Sequence, residues 1–299
     1  MISLLFLTLV VLAAVWAFGF EVRRYQIERF VIRPSKPTPR PLSILHLTDI
    51  HFSKPNVSLR QFFDQLSEIP CDFVFITGDM IDHDEGIEEC LLNFKKLKPR
   101  LGIFTVFGNH DYLNYYPNDM FFHNFPGQRQ PRLRNSSGKF QASLEAMGVR
   151  VLKNETIDLD CGGFSVLIHG LDDPTTGRAN VRKALENFEP GKINFLLTHS
   201  IDAFLDIGNR EIDFAFSGHS HGGQICLPGL GPLITHTMIG RGYASGIKEL
   251  KGAICSISRG MGTSRFLKLR FFCPPEAVLI TLDESGKHIP ISVRKKPVL

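Results

Sequence analysis

Carboxylate, amide and imidazole side chains recur in this sequence directly after short apolar runs. The sequence has five such clusters: Asp49-Ile50-His51, Gly78-Asp79 with Asp82, Gly108-Asn109-His110-Asp111, Thr198-His199 and Gly218-His219-Ser220-His221. Carboxylate and amide oxygens with imidazole nitrogens, in the absence of thiolates, suit borderline divalent ions such as Mn²⁺, Fe²⁺ or Zn²⁺. One carboxylate between two half-sites can hold two such ions ~3.5–4 Å apart, the separation used in two-metal hydrolysis. The clusters therefore predict a centre for two divalent metal ions.

Each cluster also has a purely structural interpretation when it is taken alone. Asp79 could cap a helix, Asn109 could be a turn residue, and His199 could be a hydrogen-bonded core histidine. His219 and His221 could be alternate positions of a strand. The structural alternative requires five strand ends to carry metal-ligand chemistry independently, and this coincidence disfavours it.

The apolar runs before the clusters are rich in β-branched and aromatic residues, which predicts buried strands. The predicted strands cover residues 42–47, 73–76, 103–107, 164–168, 195–197 and 214–216. Helix-period apolar residues predict helices at 57–68, 86–96, 138–147 and 179–187. This alternation indicates a layered α/β fold, with two packed sheets flanked by helices. Loops beyond the carboxyl ends of such strands converge on one crevice, which would bring the clusters together.

Composition excludes several classes of protein. A chain of 299 residues with 43% apolar content can bury a large core, so a disordered or fibrous protein is excluded. The net charge of +4 is small for this length and gives no argument for nucleic-acid binding. The six cysteines are scattered singly without a C-x-x-C pair, which is typical of buried reduced thiols in a reducing compartment.

Residues 1–20 contain no charged side chain, and about 20 helical residues span a bilayer core. The stretch lacks a basic start and a clear small-residue cleavage site, and Trp16 near its end suits a membrane interface. We therefore expect a retained membrane anchor, with a cleaved signal as the alternative. Lys and Arg crowd its C-terminal side, so the positive-inside rule predicts an inner-membrane protein with its folded domain facing the cytoplasm.

Three regions follow from these patterns. Residues 1–20 form the anchor, residues 21–41 a basic, proline-rich juxtamembrane linker, and residues 42–299 the folded domain. Residues 34–41 are rich in proline and carry two basic residues, which predicts an extended spacer close to anionic head groups.

The five clusters, in their order along the chain, resemble the motifs of the calcineurin-like metallophosphoesterases. These motifs are Asp-x-His, Gly-Asp-x-x-Asp, Gly-Asn-His-Asp, a lone His and Gly-His-x-His. The resemblance covers about residues 42–285. It implies a hydrolase with a four-layer α/β/β/α sandwich and two metal ions at one sheet edge.

The resemblance also implies a role for each site residue. The first ion would be held by Asp49, His51 and His221, and the second by Asn109, His199 and His219. Asp79 would bridge the two ions. His110 would contact the phosphate and protonate the leaving oxygen. Asp82 and Asp111 are predicted to support the site instead, each accepting a free imidazole N–H and so fixing a histidine's orientation.

Later segments resemble the bacterial membrane-anchored branch of the family. They are Gly222-Gly223-Gln224, Tyr243-Ala244-Ser245-Gly246 and the stretches 258–264 and 270–276. That branch includes phosphodiesterases and a UDP-2,3-diacylglucosamine pyrophosphatase of lipid A synthesis in chlamydia-like bacteria. The resemblance implies a phosphorylated small-molecule or lipid substrate at a membrane.

Residues 112–139 form a long connection with an aromatic half followed by a basic half. The aromatic and basic residues are Tyr112, Tyr115, Tyr116, Phe121, Phe122, Phe125, Arg129, Arg132, Arg134 and Lys139, with Met120 among them. Such a segment suits acyl chains beside phosphates, and a local apolar core with a solvated rim is the alternative. A general phosphodiesterase, a Ser/Thr protein phosphatase of the same fold and a non-catalytic scaffold also stay open, as does the oligomeric state.

Overall fold

The computed structural model describes residues 2–115, 134–208, 211–263 and 268–287. The strands are β1 Gln26–Ile32, β2 Leu42–Leu47, β3 Phe73–Thr77, β4 Gly102–Val106, β5 Val149–Val151, β6 Glu155–Asp160, β7 Ser165–Gly170, β8 Ile193–Ser200, β9 Phe214–Gly218, β10 Cys226–Leu227, β11 Gly231–Pro232, β12 Gly246–Leu250, β13 Ala253–Ile257 and β14 Glu276–Leu282. The α-helices are α1 Ile2–Ala14, α2 Val57–Ser67, α3 Ile87–Phe94, α4 Asn109–Tyr112, α5 Ser137–Ala146 and α6 Val181–Ala184.

The strands form two six-stranded sheets and one small hairpin. The first sheet has the order β1-β14-β2-β3-β4-β5, and β2, β3, β4 and β5 run parallel to one another. The second sheet has the order β12-β13-β9-β8-β7-β6, and β13, β9, β8 and β7 run parallel. Strands β10 and β11 pair separately as an antiparallel hairpin.

Three apolar clusters fill the spaces between the layers. Between the sheets, Phe73 and Phe75 of β3 pack against Phe195 of β8. A second cluster joins the outer face of the first sheet to α2, α3 and α5, and a third covers the outer face of the second sheet. The predicted four-layer α/β/β/α sandwich is therefore confirmed.

The predicted strands before the five polar clusters are all present, and three of the four predicted helices lie within two residues of their expected ends. Helix α2 begins where Asn56 Oδ1 accepts the Leu59 amide at 3.2 Å, and it buries Phe62 and Phe63. The helix expected at 179–187 is a single turn, α6. Beyond it the Glu186 and Phe188 amides donate to carbonyls only three residues earlier, so the chain continues in tight turns instead of an α-helix.

Part of the segment expected to be a linker belongs to the sheet. Strand β1 lies within residues 21–41 and pairs in parallel with β14, from Gln26 opposite Glu276 to Ile32 opposite Leu282. Most of its side chains are only partly buried, which suits a strand at the edge of the sheet. Further along, Lys36 Nζ lies 2.7 Å from Asp213 Oδ2, so this part of the chain is attached to the domain as well.

The N-terminal helix continues from α1 through a π-helical turn, Val15–Phe20, and a 3₁₀ turn, Glu21–Arg23. The stretch Leu4–Arg23 is long and apolar enough to cross a membrane. Its large side chains, among them Leu5 and Phe6, are exposed, whereas Ala17 is buried against the domain.

Candidate metal centre

The turns that follow β2, β3 and β9 carry an unusual backbone. Asp49, His51, Asp79, His219 and His221 all have positive φ angles between 48° and 69°. Residues with a Cβ rarely adopt this conformation, and such strain concentrates at functional sites. These five residues belong to the set that the family resemblance assigns to the metals.

The turns also require glycine immediately before several of these residues. A Cβ atom at Gly108 would lie 2.3 Å from Asp79 Oδ1, and one at Gly218 would lie 2.2 Å from Asp49 Oδ2. A Cβ atom at Gly78 would lie 2.7 Å from His199 Nδ1. The glycines of the Gly-Asp, Gly-Asn-His and Gly-His motifs therefore make room for the neighbouring side chains.

The first group of side chains comprises Asp49, His51, Asp79 and His221, which each offer one atom within 4.8 Å of the others. His221 Nε2 lies 3.5 Å from Asp49 Oδ1 and 3.2 Å from His51 Nε2. His51 Nε2 lies 3.7 Å from Asp79 Oδ2. Asp49 is held in place because both of its oxygens accept the His219 amide, at 3.2 and 3.0 Å.

The second group forms on the other side of Asp79. His199 Nε2 lies 3.3 Å from Asp79 Oδ2 and 3.1 Å from His219 Nδ1. His199 Nδ1 donates to the Thr77 carbonyl at 2.8 Å, which fixes the tautomer and leaves Nε2 with a lone pair. The Asp79 carboxylate thus lies between His51 and His199.

Asn109 begins α4 beside this second group. Its Nδ2 donates to the Tyr115 hydroxyl at 3.0 Å, whereas its buried Oδ1 has no hydrogen-bond partner among the described residues. A buried amide oxygen without a partner is costly unless it coordinates a cation. His221 Nδ1 is also buried without such a partner. These donors, with the carboxylates and imidazoles around them, fit divalent metal ions.

The electrostatics of two of the buried histidines suit metal binding, whereas at His51 and His199 the neighbouring carboxylates outweigh burial and raise the pKa. Burial lowers the pKa of His219 and His221 well below that of a free imidazole, and the neighbouring His199 and His51, respectively, lower it further. Both rings are therefore neutral, as metal ligation requires. Burial alone would raise the pKa of Asp79, but His199 and His110 lower it well below its usual range and keep the carboxylate charged.

His110 follows Asn109 at the edge of the centre. Its backbone amide donates to Asp79 Oδ1 at 2.8 Å, and its ring packs on that of Tyr115, with 4.5 Å between centroids. His110 Nδ1 lies 2.9 Å from Asp82 Oδ1, and the same oxygen lies 3.0 Å from His51 Nδ1. Asp82 therefore contacts two imidazoles at once, which is the supporting position that we expected for it.

The expectation for Asp111 is wrong. Its side chain accepts backbone amides rather than an imidazole, from Met80 at 2.9 Å, Ile81 at 3.2 Å and Gly108 at 2.9 Å. Asp111 thereby joins the loops after β3 and β4 instead of orienting a histidine. The reason is that Asp111 is the third residue of α4, where its carboxylate reaches back to the Gly108 amide and caps the helix.

Several residues that support the centre were missed by the sequence analysis. Arg270 is fully buried, and its Nη2 donates to the carbonyls of Arg259 at 2.8 Å and Gly262 at 2.7 Å. The Gly262 amide in turn donates to the Asp49 carbonyl at 2.6 Å. The segments 258–263 and 270–276 therefore lie behind Asp49, and the signal for them in the sequence was their resemblance to the membrane-anchored branch of the family.

The fold and the centre together define a metal-dependent phosphoesterase. A sequence model of the calcineurin-like phosphoesterases matches residues 42–223, so the chain belongs to this family and is a metallophosphoesterase.

Three relatives are informative. The chain is 33% identical over 195 residues to the uncharacterized metallophosphoesterase YkoQ of Bacillus subtilis, covering 64% of this chain and 65% of YkoQ. It is 27% identical over 284 residues to the uncharacterized metallophosphoesterase YkuE of the same organism, covering 90% and 91%. It is also 27% identical over 313 residues to the UDP-2,3-diacylglucosamine pyrophosphatase LpxG of Chlamydia muridarum, covering 90% and 93%.

The aromatic and basic segment lies only partly within the described residues. Tyr112 is buried, and its hydroxyl donates to Asp172 Oδ1 at 2.7 Å, so this residue belongs to a local core. Tyr115 contacts Asn109 and His110, as described above. The rest of the aromatic half and two of the four basic residues lie outside the described residues, namely Tyr116, Met120, Phe121, Phe122, Phe125, Arg129 and Arg132.

Proposed function

We propose that this protein hydrolyses a phosphodiester or pyrophosphate bond with two divalent metal ions, Mn²⁺, Fe²⁺ or Zn²⁺, and that its substrate is lipid-linked. A substrate such as UDP-2,3-diacylglucosamine would give a lipid phosphate and a nucleoside monophosphate. The anchor at residues 1–20 would hold the enzyme in the inner membrane, with the domain on the cytoplasmic side.

The observation that carries the hydrolytic part is the position of Asp79. Its Oδ2 lies 3.7 Å from His51 Nε2 and 3.3 Å from His199 Nε2, between the two groups of side chains. Asp49, His51 and His221 would hold one ion, Asn109, His199 and His219 the other, and Asp79 would bridge them. Bound ions of this kind polarise a phosphoryl oxygen and lower the pKa of bound water.

His110 is the residue that we assign to proton transfer. Its ring is partly exposed at the edge of the centre, with Nδ1 facing Asp82, so Nε2 is the nitrogen free to meet a substrate. The fixed backbone of His110, tied to Asp79, would keep Nε2 near the leaving oxygen, to which it would donate a proton.

The lipid-linked substrate is supported by two observations of different kinds. One is the similarity to LpxG along 90% of the chain, at 27% identity. The other is the apolar stretch Leu4–Arg23, whose end is attached to the domain through Ala17 and Glu21. A site attached in this way to a membrane helix is suited to a substrate that lies in the lipid surface.

The test compares two soluble esters and one lipid. Full-length protein with added Mn²⁺ should hydrolyse bis-p-nitrophenyl phosphate faster than p-nitrophenyl phosphate, and it should release UMP from UDP-2,3-diacylglucosamine in vesicles. Preference for the monoester would favour a protein phosphatase instead. Diester hydrolysis without lipid turnover would leave a general phosphodiesterase, and no turnover with any divalent ion would indicate a scaffold.

A further inference from the structure

A group of large apolar side chains is exposed on two loops that follow the metal-binding segment. They are Leu230 at 70%, Leu233 at 49%, Ile234 at 65%, Met238 at 78% and Phe272 at 55% exposure, and we call them the apolar rim. Isolated apolar residues on a surface need no explanation, but a contiguous group of them marks an interaction site.

The apolar rim lies beside the metal centre. A Cβ atom at Gly223, two residues after His221, would lie 2.6 Å from the Ile234 carbonyl, so this loop packs directly on the turn that carries His221. The Leu233 amide donates to the Ile225 carbonyl at 3.0 Å. The ring of His236 lies 6.1 Å from that of His219, measured between centroids.

Hydrogen bonds also connect the apolar rim to the N-terminal helix. The buried Glu21 carboxylate accepts the Phe272 amide at 2.9 Å, the Cys273 amide at 2.7 Å and Trp16 Nε1 at 2.5 Å. The Arg270 amide donates to the Ala17 carbonyl at 3.2 Å. Phe272 is therefore held against the end of the apolar helix, where Phe18 and Phe20 are also exposed.

Hydrogen bonds also connect the loop of Phe272 to the segment that carries the other residues of the apolar rim, Leu230 to Met238. The Phe271 amide donates to the Gln224 carbonyl at 2.9 Å, and the Cys226 amide donates to the Phe271 carbonyl at 2.8 Å. The exposed guanidinium of Arg241 donates to the carbonyl of Leu230 at 3.4 Å. Exposed Arg23 and Arg24 lie at the helix end, so cationic groups flank the apolar surface at both ends.

We propose that the apolar rim enters the boundary between head groups and acyl chains of one lipid leaflet, next to the end of the N-terminal helix. The helix makes a lipid leaflet the occupant, because it continues the apolar surface and is itself apolar enough to span a membrane. The flanking arginines suit anionic head groups. The mouth of the metal centre would then lie at the lipid surface, where a lipid-linked phosphate is presented.

This inference rests on the membrane part of the proposed function, so its first test is independent of catalysis. p-Benzoylphenylalanine would replace Ile234, Met238 or, as a matched control, Leu92, an exposed apolar residue of α3. The full-length variants would be placed in phosphatidylethanolamine–phosphatidylglycerol vesicles and irradiated. We expect lipid adducts at positions 234 and 238 and not at position 92.

Adduct yields at positions 234 and 238 equal to that at position 92 would overturn the proposal. Adducts to a second copy of the chain in place of lipid would overturn it as well. Because this measurement does not depend on turnover, it stands even if the substrate proves to be a different phosphate ester.

The second test is kinetic and uses Ile234→Ser combined with Met238→Ser in the full-length protein. We expect kcat/KM for a vesicle-borne diester, divided by that for bis-p-nitrophenyl phosphate, to fall about tenfold, or about 1.4 kcal/mol. Leu92→Ser should leave this ratio as in the wild type. An unchanged ratio in the double variant, or an equal fall in Leu92→Ser, would contradict a role of the apolar rim in lipid contact.

Discussion

The metal centre and the apolar rim are neighbours that differ in almost every physical property. The centre consists of mostly buried polar side chains, five of them on positive-φ turns, and backbone amides and carbonyls hold them in place. The apolar rim consists of exposed hydrophobic side chains on loops that connect short elements, the β10–β11 hairpin among them. The turn of the centre that carries His219 and His221 follows β9, and residues 222–225 join it to the β10–β11 half of the apolar rim.

We expect this difference to separate catalysis, which depends on the metal centre, from contact with the lipid surface, which depends on the apolar rim. Changes in the centre should lower the turnover of every substrate, because all of them need the same reacting groups. Changes in the apolar rim should act only on substrates that the lipid surface presents. Variants of both regions can break this separation.

Asp79→Asn should have the largest effect. The substitution keeps the shape but removes the charge between the two groups of side chains, so we expect kcat for any diester to fall by about 10⁴-fold, or ~5.5 kcal/mol. The measurement is kcat for bis-p-nitrophenyl phosphate together with metal content by mass spectrometry. A variant that keeps a tenth of the wild-type rate would refute a bridging role.

His110→Ala should have the next largest effect. We assign this residue to proton donation and not to a metal, so the ions should stay bound while kcat falls by about 10²–10³-fold. The loss should be smaller for esters with good leaving groups, which need less protonation, and a series of aryl diesters would measure this. Loss of metal from the variant would make His110 a ligand instead.

Asp82→Asn tests whether the residues that contact the histidines from behind help the centre to bind metal. Asp82 Oδ1 lies 3.0 Å from His51 Nδ1, and removal of such a partner typically costs about 10–100-fold in metal affinity. Isothermal titration with Mn²⁺ would measure the change. Asp84→Asn is the matched control, because Asp84 bonds Ser136 at the surface. Equal affinities of the two variants would show that Asp82 does not orient the ligand.

Glu21→Ala should have the smallest effect on chemistry and a clear effect on the attachment of the helix. It leaves the amides of Phe272 and Cys273 without their acceptor, which costs ~1–3 kcal/mol in the free energy of unfolding. The midpoint of thermal unfolding in detergent should fall, and less so for Glu21→Gln, which keeps one acceptor oxygen. An unchanged midpoint for Glu21→Ala would mean that the helix is attached by other contacts.

The centre was largely predictable from the sequence, whereas its surroundings were not. The motifs keep ligand residues next to the strands that position them, so the proximity of Asp49, Asp79 and His199 follows from strand order alone. Asp82 was also placed well, since it lies in the same loop after β3, three residues beyond Asp79. The role of Asp111 depended on which loop its side chain faces, and sequence spacing does not contain that information.

The regions that the sequence analysis missed depend on contacts between distant segments. Strand β1 pairs with β14, about 250 residues later, and its polar residues resemble those of a linker. Glu21 looked like part of a charged flank, although it is buried against residues 272 and 273. The apolar rim could not be recognised because its residues are scattered, and only the fold brings the two loops together.

The central claim is that hydrolysis depends on two metal ions held at this centre. The most direct test is a titration of EDTA-treated, full-length protein with Mn²⁺ while the hydrolysis of bis-p-nitrophenyl phosphate is followed. The account predicts no turnover without metal and a rate that saturates at about two equivalents per chain. Turnover that is independent of added metal, or that saturates at one equivalent, would contradict it.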